Sequence, residues 1–90
     1  MKPVVFTRHA REKMVERLTI ESEVIQTIRE AAWQAAEMGK QRAIKWYPFG
    51  KEHKGRFYRG KDVEPVFVEE ADRIVVVTVY VFLNQRGEEK

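Results

Sequence analysis

The 90-residue sequence contains no cysteine and only two histidines. Without cysteine the chain has no disulfide bonds, no thiolate nucleophile and no cysteine-ligated metal site. Two histidines are too few for the usual zinc-ligand sets, so we expect neither a metal nor a cofactor. A glycine-rich phosphate loop, a zinc-binding helix motif and a serine elbow are also missing, which argues against nucleotide-driven chemistry.

Long apolar runs are missing as well. The longest, from Ile74 to Leu83, has ten residues, whereas a membrane-spanning helix needs about 20. The N-terminus has no apolar run of signal-peptide length. We therefore expect a cytoplasmic protein without a membrane partner. With 43% hydrophobic and 34% charged residues, the chain is expected to form one globular domain over residues 1–90, with residues 84–90 as a frayed tail.

The run from Ile74 to Leu83 predicts a strand near the middle of a sheet, buried on both faces. Seven of its ten residues are β-branched and none is glycine, proline or charged, which favours a strand over a helix. Because side chains alternate along a strand, one face is aliphatic and the other carries hydroxyls at Thr78 and Tyr80. We expect the second face to form the floor of a site, although both residue types also simply favour strands. The aliphatic face, expected to contact helices, comprises Val75, Val77, Val79, Val81 and Leu83.

Two helices are predicted before the strands. Thr7 is the expected N-cap of a first helix from Arg8 to Arg17. The apolar spacing permits a second helix from Ile20 to about Glu37. The structure of residues 33–41 stays open between an extra strand and the end of this helix. The buried stripe of the first helix comprises Phe6, Ala10, Met14 and Leu18.

The second half of the chain has the period of strands. Turns are expected at residues 48–50 and 60–62, and Pro65 favours an edge position or an irregular start for the third strand. We therefore expect an α+β fold in which two N-terminal helices pack on one face of a mainly antiparallel four-stranded sheet. The predicted strands cover Arg42 to Tyr47, Arg56 to Arg59, Val63 to Glu69 and the strand from Ile74.

Positive charge is concentrated in the middle of the chain. The net charge is +3, but residues 40–61 carry eight basic side chains and one acidic side chain, Glu52. Tryptophan, tyrosine and phenylalanine are interleaved with these cations. Cations neutralise phosphates and exposed aromatic rings stack on bases, so the stretch predicts an RNA or DNA partner. The alternative is that the basic side chains are ordinary solvated surface residues and that about half of the aromatic rings of this stretch face the core. The candidate contacts are Lys45, Arg56, Tyr58 and Arg59.

His9 is the candidate for acid–base chemistry. It lies at the edge of the buried stripe of the first helix, and histidine exchanges protons near neutral pH. A surface histidine on a helix usually has no such role, so this alternative stays open. His53 lies in a cationic loop, where a solvated residue or a phosphate contact is expected.

Two segments carry a resemblance to a known family. They are Phe6-Thr-Arg-His-Ala-Arg-Glu-Lys-Met-Val-Glu-Arg17 and Arg73-Ile-Val-Val-Val-Thr-Val-Tyr80. They resemble small bacterial domains of unknown function that open on an F-x-x-H-A-x-x-R-M-x-E-R-like helix and close on a T-V-Y-like strand. That family is similar to a branch of the RelE/ParE toxin-like superfamily, whose fold class includes barnase-type RNases. The chain departs from the pattern at Lys13, at Leu18-Thr19 and in a longer basic insert.

The resemblance implies a metal-independent RNA endonuclease of toxin–antitoxin type. Such enzymes use a 2′-hydroxyl to attack the adjacent phosphate, which needs a base, an acid and cations. It implies catalytic roles for His9, Thr78 and Tyr80 and a phosphate contact for Arg8. The implied partners are RNA, with the ribosome as one setting, an antitoxin protein and a second copy of the chain. Two alternatives remain: a non-catalytic nucleic-acid-binding module and a protein-interaction domain of the same fold.

Overall fold

The computed structural model describes residues 1–87 and contains two helices and one mixed six-stranded sheet. The fold is α+β, as expected. The predicted mainly antiparallel four-stranded sheet is wrong, because the sheet has three long and three short strands and one of the short strands is parallel to its neighbour. The elements are β1 (Val4–Phe6), α1 (Arg8–Glu16), α2 (Glu21–Glu30), β2 (Gln34–Ala35), a 3₁₀ turn (Glu37–Gly39), β3 (Gln41–Arg42), β4 (Lys45–His53), β5 (Arg56–Glu69) and β6 (Ile74–Asn84).

The strand order is β1-β6-β5-β3-β2, with β4 also paired to β5. β1 pairs in parallel with only the first three residues of β6, from Ile74 to Val76. β3 and β4 pair antiparallel with successive parts of β5, so they lie along the same side of β5 with a break at residues 43–44. β1 and β2 were not predicted because three and two residues are too few to show alternation.

α1 matches the prediction closely, and α2 is shorter than predicted. The Thr7 side chain accepts a hydrogen bond from the Ala10 amide, as an N-cap does. α2 ends at Glu30 because Trp33 turns back onto the fold. The Trp33 indole donates to the Ile28 carbonyl at 2.7 Å, and its ring packs edge-on against Phe67 at 4.9 Å. Residues 33–41 therefore leave the helix and supply β2 and the 3₁₀ turn.

β5 is one continuous strand of 14 residues, so the predicted turn at residues 60–62 is wrong. Gly60 does not form a turn. It allows the Trp46 ring to pack directly against the backbone of β5, because a Cβ at this position would lie 2.1 Å from the ring. Pro65 is buried in this central strand, which corrects the predicted edge position. The break between β3 and β4 lies opposite Pro65, where the missing amide removes a donor from the ladder.

The β4–β5 hairpin turns at Lys54 and Gly55, and residues 48–50 form a bulge in β4 rather than a turn. Lys54 and Gly55 have φ of 53° and 82°. Two consecutive positive φ values are typical of the two-residue turns that match the twist of a hairpin. Residues 51–59 therefore project as a narrow two-stranded arm, which we call the basic arm.

One hydrophobic core lies between the helices and one face of the sheet. We call this side of the sheet the covered face and the other side the open face. The helices contribute Ala10, Met14, Val24 and Ile28 to the core. On the sheet, the buried aliphatic and aromatic residues include Val63, Phe67, Ile74, Val76 and Val79.

A bulge at Val77 changes which side chains of β6 face the helices. Val66 pairs with Thr78 and Phe67 with Val76, which leaves Val77 as an extra residue. Before the bulge the even-numbered residues Ile74 and Val76 are buried, and after it odd-numbered residues such as Val79 are. The predicted aliphatic face is therefore correct only beyond the bulge, where Val79 and Val81 pack on the core. Burial on both faces is also wrong, because Tyr80 and Phe82 are 41% and 51% exposed.

The end of the described chain is fixed to β5. Asn84 is the last residue of β6, and the Gln85 side chain donates to the Phe57 carbonyl at 2.5 Å and accepts from the Arg59 amide at 3.3 Å. Arg86 forms an ion pair with Asp62. Residues 84–86 are thus held by hydrogen bonds, and residues 88–90 of the expected tail lie outside the described residues. Within residues 1–87, no helix is long and apolar enough to cross a membrane.

Candidate functional site

The candidate site begins where Thr7 joins α1 to the bulge in β6. The Thr7 amide donates to the Val76 carbonyl at 3.0 Å, and its hydroxyl donates to the Val77 carbonyl at 3.3 Å. The same hydroxyl accepts from the Ala10 amide. One threonine therefore caps the helix and fixes its first turn beside the residue after the bulge, Thr78.

His9 and Thr78 meet at this junction. His9 Nε2 lies 3.2 Å from Thr78 Oγ1, although the two residues are 69 positions apart in sequence. His9 is exposed, so a substrate can reach its ring. A hydroxyl can donate to or accept from either imidazole tautomer, so Thr78 orients the ring in both of its neutral forms. An oriented, exposed imidazole is suited to moving a proton near neutral pH.

Arg17 adds a cation next to this pair. It is the C-cap residue of α1, and its Nη1 donates to the Val79 carbonyl at 2.8 Å. Its Cζ lies 5.0 Å from the centroid of the Tyr80 ring. A guanidinium has five N–H groups, so one bond to a carbonyl fixes its position while others can meet an anion. Both ends of α1 thus place functional groups along β6.

A groove extends from Thr78 and Tyr80 across the open face. Its floor continues with Glu64 and Val66 of β5, and its far wall is the segment from Ala36 to Met38 with Lys40 and Arg42. Glu64 and Arg42 face each other at 4.0 Å. The groove therefore combines two hydroxyls and the cations of Lys40 and Arg42 with two carboxylates, Glu64, which pairs with Arg42, and Glu37. His9 and Arg17 lie beside it, where they contact Thr78 and the Val79 carbonyl of β6.

The structure brings together His9, Thr78 and Tyr80 but not Arg8. Arg8 projects from the first turn of α1, with its side chain 94% exposed and 3.4 Å from Glu12. It is a neighbour of His9 in sequence and remains a candidate for contacting phosphates that lie outside the groove.

Two lysines of the predicted basic stretch face the helices instead of a partner. Lys45 lies 3.6 Å from Glu30, and its ammonium is 5.9 Å from the Tyr47 ring centroid. Lys61 is 6% exposed and forms a 2.8 Å ion pair with Glu23. Their side chains alternate onto the covered face of the sheet, so both interact with α2 and not with the open face.

Arg56, Tyr58 and Arg59 lie on the basic arm. Arg56 Cζ is 5.4 Å from the Tyr58 ring centroid, and Lys51 on the opposite strand pairs with Tyr58 in the ladder. Arg56 and Arg59 are exposed. Arg56 and Tyr58 share the open face, whereas Arg59 alternates onto the covered face. The basic arm is separate from the His9–Thr78 junction and lies toward the other end of the sheet, beyond Gly60.

One tyrosine with a shifted pKa belongs to the core rather than to the site. Burial raises the pKa of Tyr47, and the nearby carboxylates of Glu23 and Glu30 raise it further, against the lowering effect of the hydrogen bond with Thr27. The Tyr47 hydroxyl lies 2.8 Å from both Thr27 Oγ1 and the Glu23 carbonyl oxygen. The group joins α2 to β4 from the covered face.

Arg17, Arg42 and Glu64 were not predicted as site residues. Arg17 was treated only as the end of the first helix, and it reaches the site because α1 runs beside β6. Glu64 pairs with Tyr80 across β5 and β6, so its place on the open face follows from register. Strand alternation could have indicated Glu64, whereas nothing in the sequence spacing indicates Arg17.

The comparisons with known proteins add no relative. Searches of protein-family models, curated proteins and solved structures found no match. The RelE/ParE resemblance therefore stays a prediction that depends on the two quoted segments. Among residues 1–87, no group of three or more histidine, aspartate or glutamate residues is arranged to hold a metal ion.

Proposed function

We propose that the protein is an RNA endonuclease that cleaves by 2′-hydroxyl attack, with its active site at the junction of α1 and β6. The observation that carries the proposal is the 3.2 Å contact between His9 Nε2 and Thr78 Oγ1. It couples an exposed imidazole to a fixed hydroxyl next to the Arg17–Tyr80 pair. His9 and Arg17 contact adjacent residues of β6, Thr78 and Val79, and phosphodiester transesterification requires a proton acceptor and a cation.

In this mechanism His9 takes the proton of the ribose 2′-hydroxyl. The 2′-oxygen forms a bond to the adjacent phosphorus, the bond from phosphorus to the 5′-oxygen breaks, and the leaving oxygen takes a proton from water. The products are a 2′,3′-cyclic phosphate and a 5′-hydroxyl. Arg17 stabilises the additional negative charge on the phosphorane oxygens. Thr78 orients the imidazole, and Tyr80 positions the scissile group from the floor of the groove.

The basic arm supplies the affinity for RNA in this proposal. Arg56 and Arg59 neutralise phosphates, Tyr58 stacks on a base, and Arg8 contacts the backbone beside His9. The RelE/ParE resemblance adds the ribosome as a setting for cleavage and an antitoxin as a binding partner. A small acidic reading frame next to the gene would support the antitoxin part.

The test of the reaction uses purified protein, chelator and end-labelled RNA. We expect cleavage that leaves cyclic phosphate ends. The mapped cleavage site should become resistant when its nucleotide is replaced by the 2′-deoxy form, because the nucleophile is then missing. Cleavage of the deoxy substrate at an equal rate would contradict the proposed reaction.

The second candidate is a non-catalytic nucleic-acid-binding module. It is favoured by the basic arm, where an aromatic ring lies beside cations on a projecting hairpin. In that case RNA stays intact, and affinity falls with salt and with the replacement of Arg56 and Arg59. Lys45 serves as the matched control, because its ion pair with Glu30 keeps it on the covered face.

A further inference from the structure

Four aromatic side chains lie on the open face and connect the His9–Thr78 junction with the basic arm. Their faces follow from register: Trp46 pairs with Asp62 and Asp62 with Phe82, while Tyr80 pairs with Glu64. These residues alternate with the buried Lys61 and Val63 of β5 and so point away from the helices. We call the set the aromatic track; it comprises Tyr80, Phe82, Trp46 and Tyr58.

The first two rings of the track lie parallel and exposed. The Tyr80 and Phe82 centroids are 6.4 Å apart with an interplanar angle of 17°. Exposed patches of large apolar side chains on a sheet usually mark a binding site for a ligand or a macromolecule. Parallel rings at this spacing present flat apolar surfaces in succession, an arrangement that suits unpaired bases.

The third ring lies flat on the sheet. A Cβ on Gly60 would be 2.1 to 2.3 Å from three atoms of the Trp46 indole, so only glycine lets the ring lie on β5. The Trp46 Nε1 donates to Asn84 Oδ1 at 3.2 Å, which fixes the ring in its plane. The indole is half-buried, as a ring with one face on the backbone would be.

Charge around the track favours an anionic occupant. The two carboxylates of β5 on the open face are each paired with an arginine, Asp62 with Arg86 and Glu64 with Arg42. Arg17 lies over Tyr80 at one end and Arg56 lies beside Tyr58 at the other. An acidic backbone can therefore follow the rings with a cation at each end, whereas an apolar protein surface would bury these arginines.

From this geometry we propose that the aromatic track is a stacking platform for single-stranded nucleic acid, which leads unpaired bases from the basic arm to the His9–Thr78 junction. The inference deepens and depends on the proposed RNA cleavage, and it names single-stranded RNA as the substrate class. Duplex RNA is excluded from the track because its bases are stacked on one another and do not offer their faces.

The test measures binding separately from cleavage. The probe is a short single-stranded 2′-deoxy oligonucleotide, which lacks the nucleophile, compared with the same strand carrying abasic nucleotides. Phe82→Ala should weaken binding of the intact strand about tenfold, the order expected for one lost base–ring stack. It should leave the affinity for the abasic strand unchanged. Phe82→Tyr keeps the ring and should bind as wild type does.

The matched control is Phe57→Ala. Phe57 is 52% exposed, close to the 51% of Phe82, but it alternates onto the covered face of β5. Phe57→Ala should change neither the affinity for the intact strand nor the affinity for the abasic strand. Equal effects of Phe57→Ala and Phe82→Ala would overturn the stacking platform, since they would show general loss of apolar surface.

The remaining outcomes separate the inference from the proposed function. If cleavage requires His9 but Phe82→Ala leaves the binding affinity unchanged, the stacking platform is refuted and the proposed endonuclease activity stands. Stacking that depends on Phe82 without cleavage of RNA would support the track and refute the endonuclease. Binding of a duplex as tightly as the single strand would refute the stacking platform. So would a wild-type protein that binds neither strand and instead self-associates through Phe82.

Discussion

At the scale of single residues, the site consists of side chains that each hold another in place. Thr7 fixes α1 at the bulge, Thr78 fixes the His9 ring, and the Val79 carbonyl fixes Arg17. Residue type and helical spacing predicted His9 as a histidine with acid–base potential at the edge of the buried stripe of the first helix. They did not predict its contact with Thr78, because these residues are 69 positions apart in sequence and come together only when β1 pairs with β6. The quoted resemblance alone joined His9 with Thr78 and Tyr80.

Thr78 offers a test of positioning at this scale. We expect Thr78→Val, which keeps the shape but removes the hydroxyl next to His9, to lower kcat about tenfold, since it gives up part of the general-base contribution. Thr78→Ser keeps the hydroxyl and should restore most of the rate. A shift in KM with kcat unchanged would show instead that Thr78 binds RNA. Far-ultraviolet circular dichroism on both variants would establish that the fold is kept.

At the scale of elements, the differences from the sequence-based prediction arise at irregular strand positions. The bulge at Val77 reverses the alternation of β6, so Val75 was assigned to the wrong face while Val79 was assigned correctly. Pro65 and Gly60 suggested an edge and a turn. Both residues instead lie inside β5: Pro65 is opposite the break between β3 and β4, and Gly60 leaves room for the Trp46 ring. Local propensity does not encode such tertiary compensation.

Lys61 connects the elements on the covered face. Its Nζ pairs with Glu23 Oε1 and also donates to the Leu18 carbonyl at 2.6 Å. Leu18 has φ of 64°, a left-handed conformation that is uncommon outside glycine and forms the tight corner between the helices. The lysine thus joins β5 to α2 and to this corner, a structural role within the stretch predicted to bind RNA.

Replacing Lys61 should therefore destabilise the fold. We expect Lys61→Met to lower the free energy of unfolding by about 3 kcal/mol, because the partly buried Glu23 carboxylate loses its cation. Urea denaturation at neutral pH measures the change. Lys45→Met is the matched control: its pair with Glu30 is more exposed, so we expect a loss of less than about 1 kcal/mol. Equal losses would show that Lys61 is no more than a surface charge.

At the scale of the whole molecule, the order of two helices before the three long strands and the α+β class were predictable from periodicity. The complete sheet was not, because β1 and β2 have almost no sequence pattern and are defined only by their partners. The distribution of charge needs the same correction. The cations of the central stretch are divided between the covered face, the groove wall and the basic arm, so their clustering in sequence overstates the charge of any one surface.

The joint between α2 and the sheet predicts a dependence of stability on pH. Burial raises the pKa of Tyr47 above its ordinary value of 10.0, so the folded state favours the neutral phenol. This contribution is complete below the unfolded pKa and is lost as pH rises through the folded pKa. We expect the free energy of unfolding to fall more steeply above about pH 10 in wild type than in Tyr47→Phe. Parallel alkaline profiles for the two proteins would contradict this account.

The central claim, that the junction of α1 and β6 cleaves RNA, is tested most directly by comparing the chain's two histidines. His53 lies at the end of β4 on the basic arm, away from the junction, and provides a matched control. We predict that, at saturating protein, His9→Ala lowers the single-turnover cleavage rate at least about 100-fold, the lower range for loss of a general base. Under the same condition His53→Ala should keep the wild-type rate, because saturation removes any effect on RNA affinity. Equal rates for His9→Ala and His53→Ala would place the chemistry elsewhere and contradict the assignment.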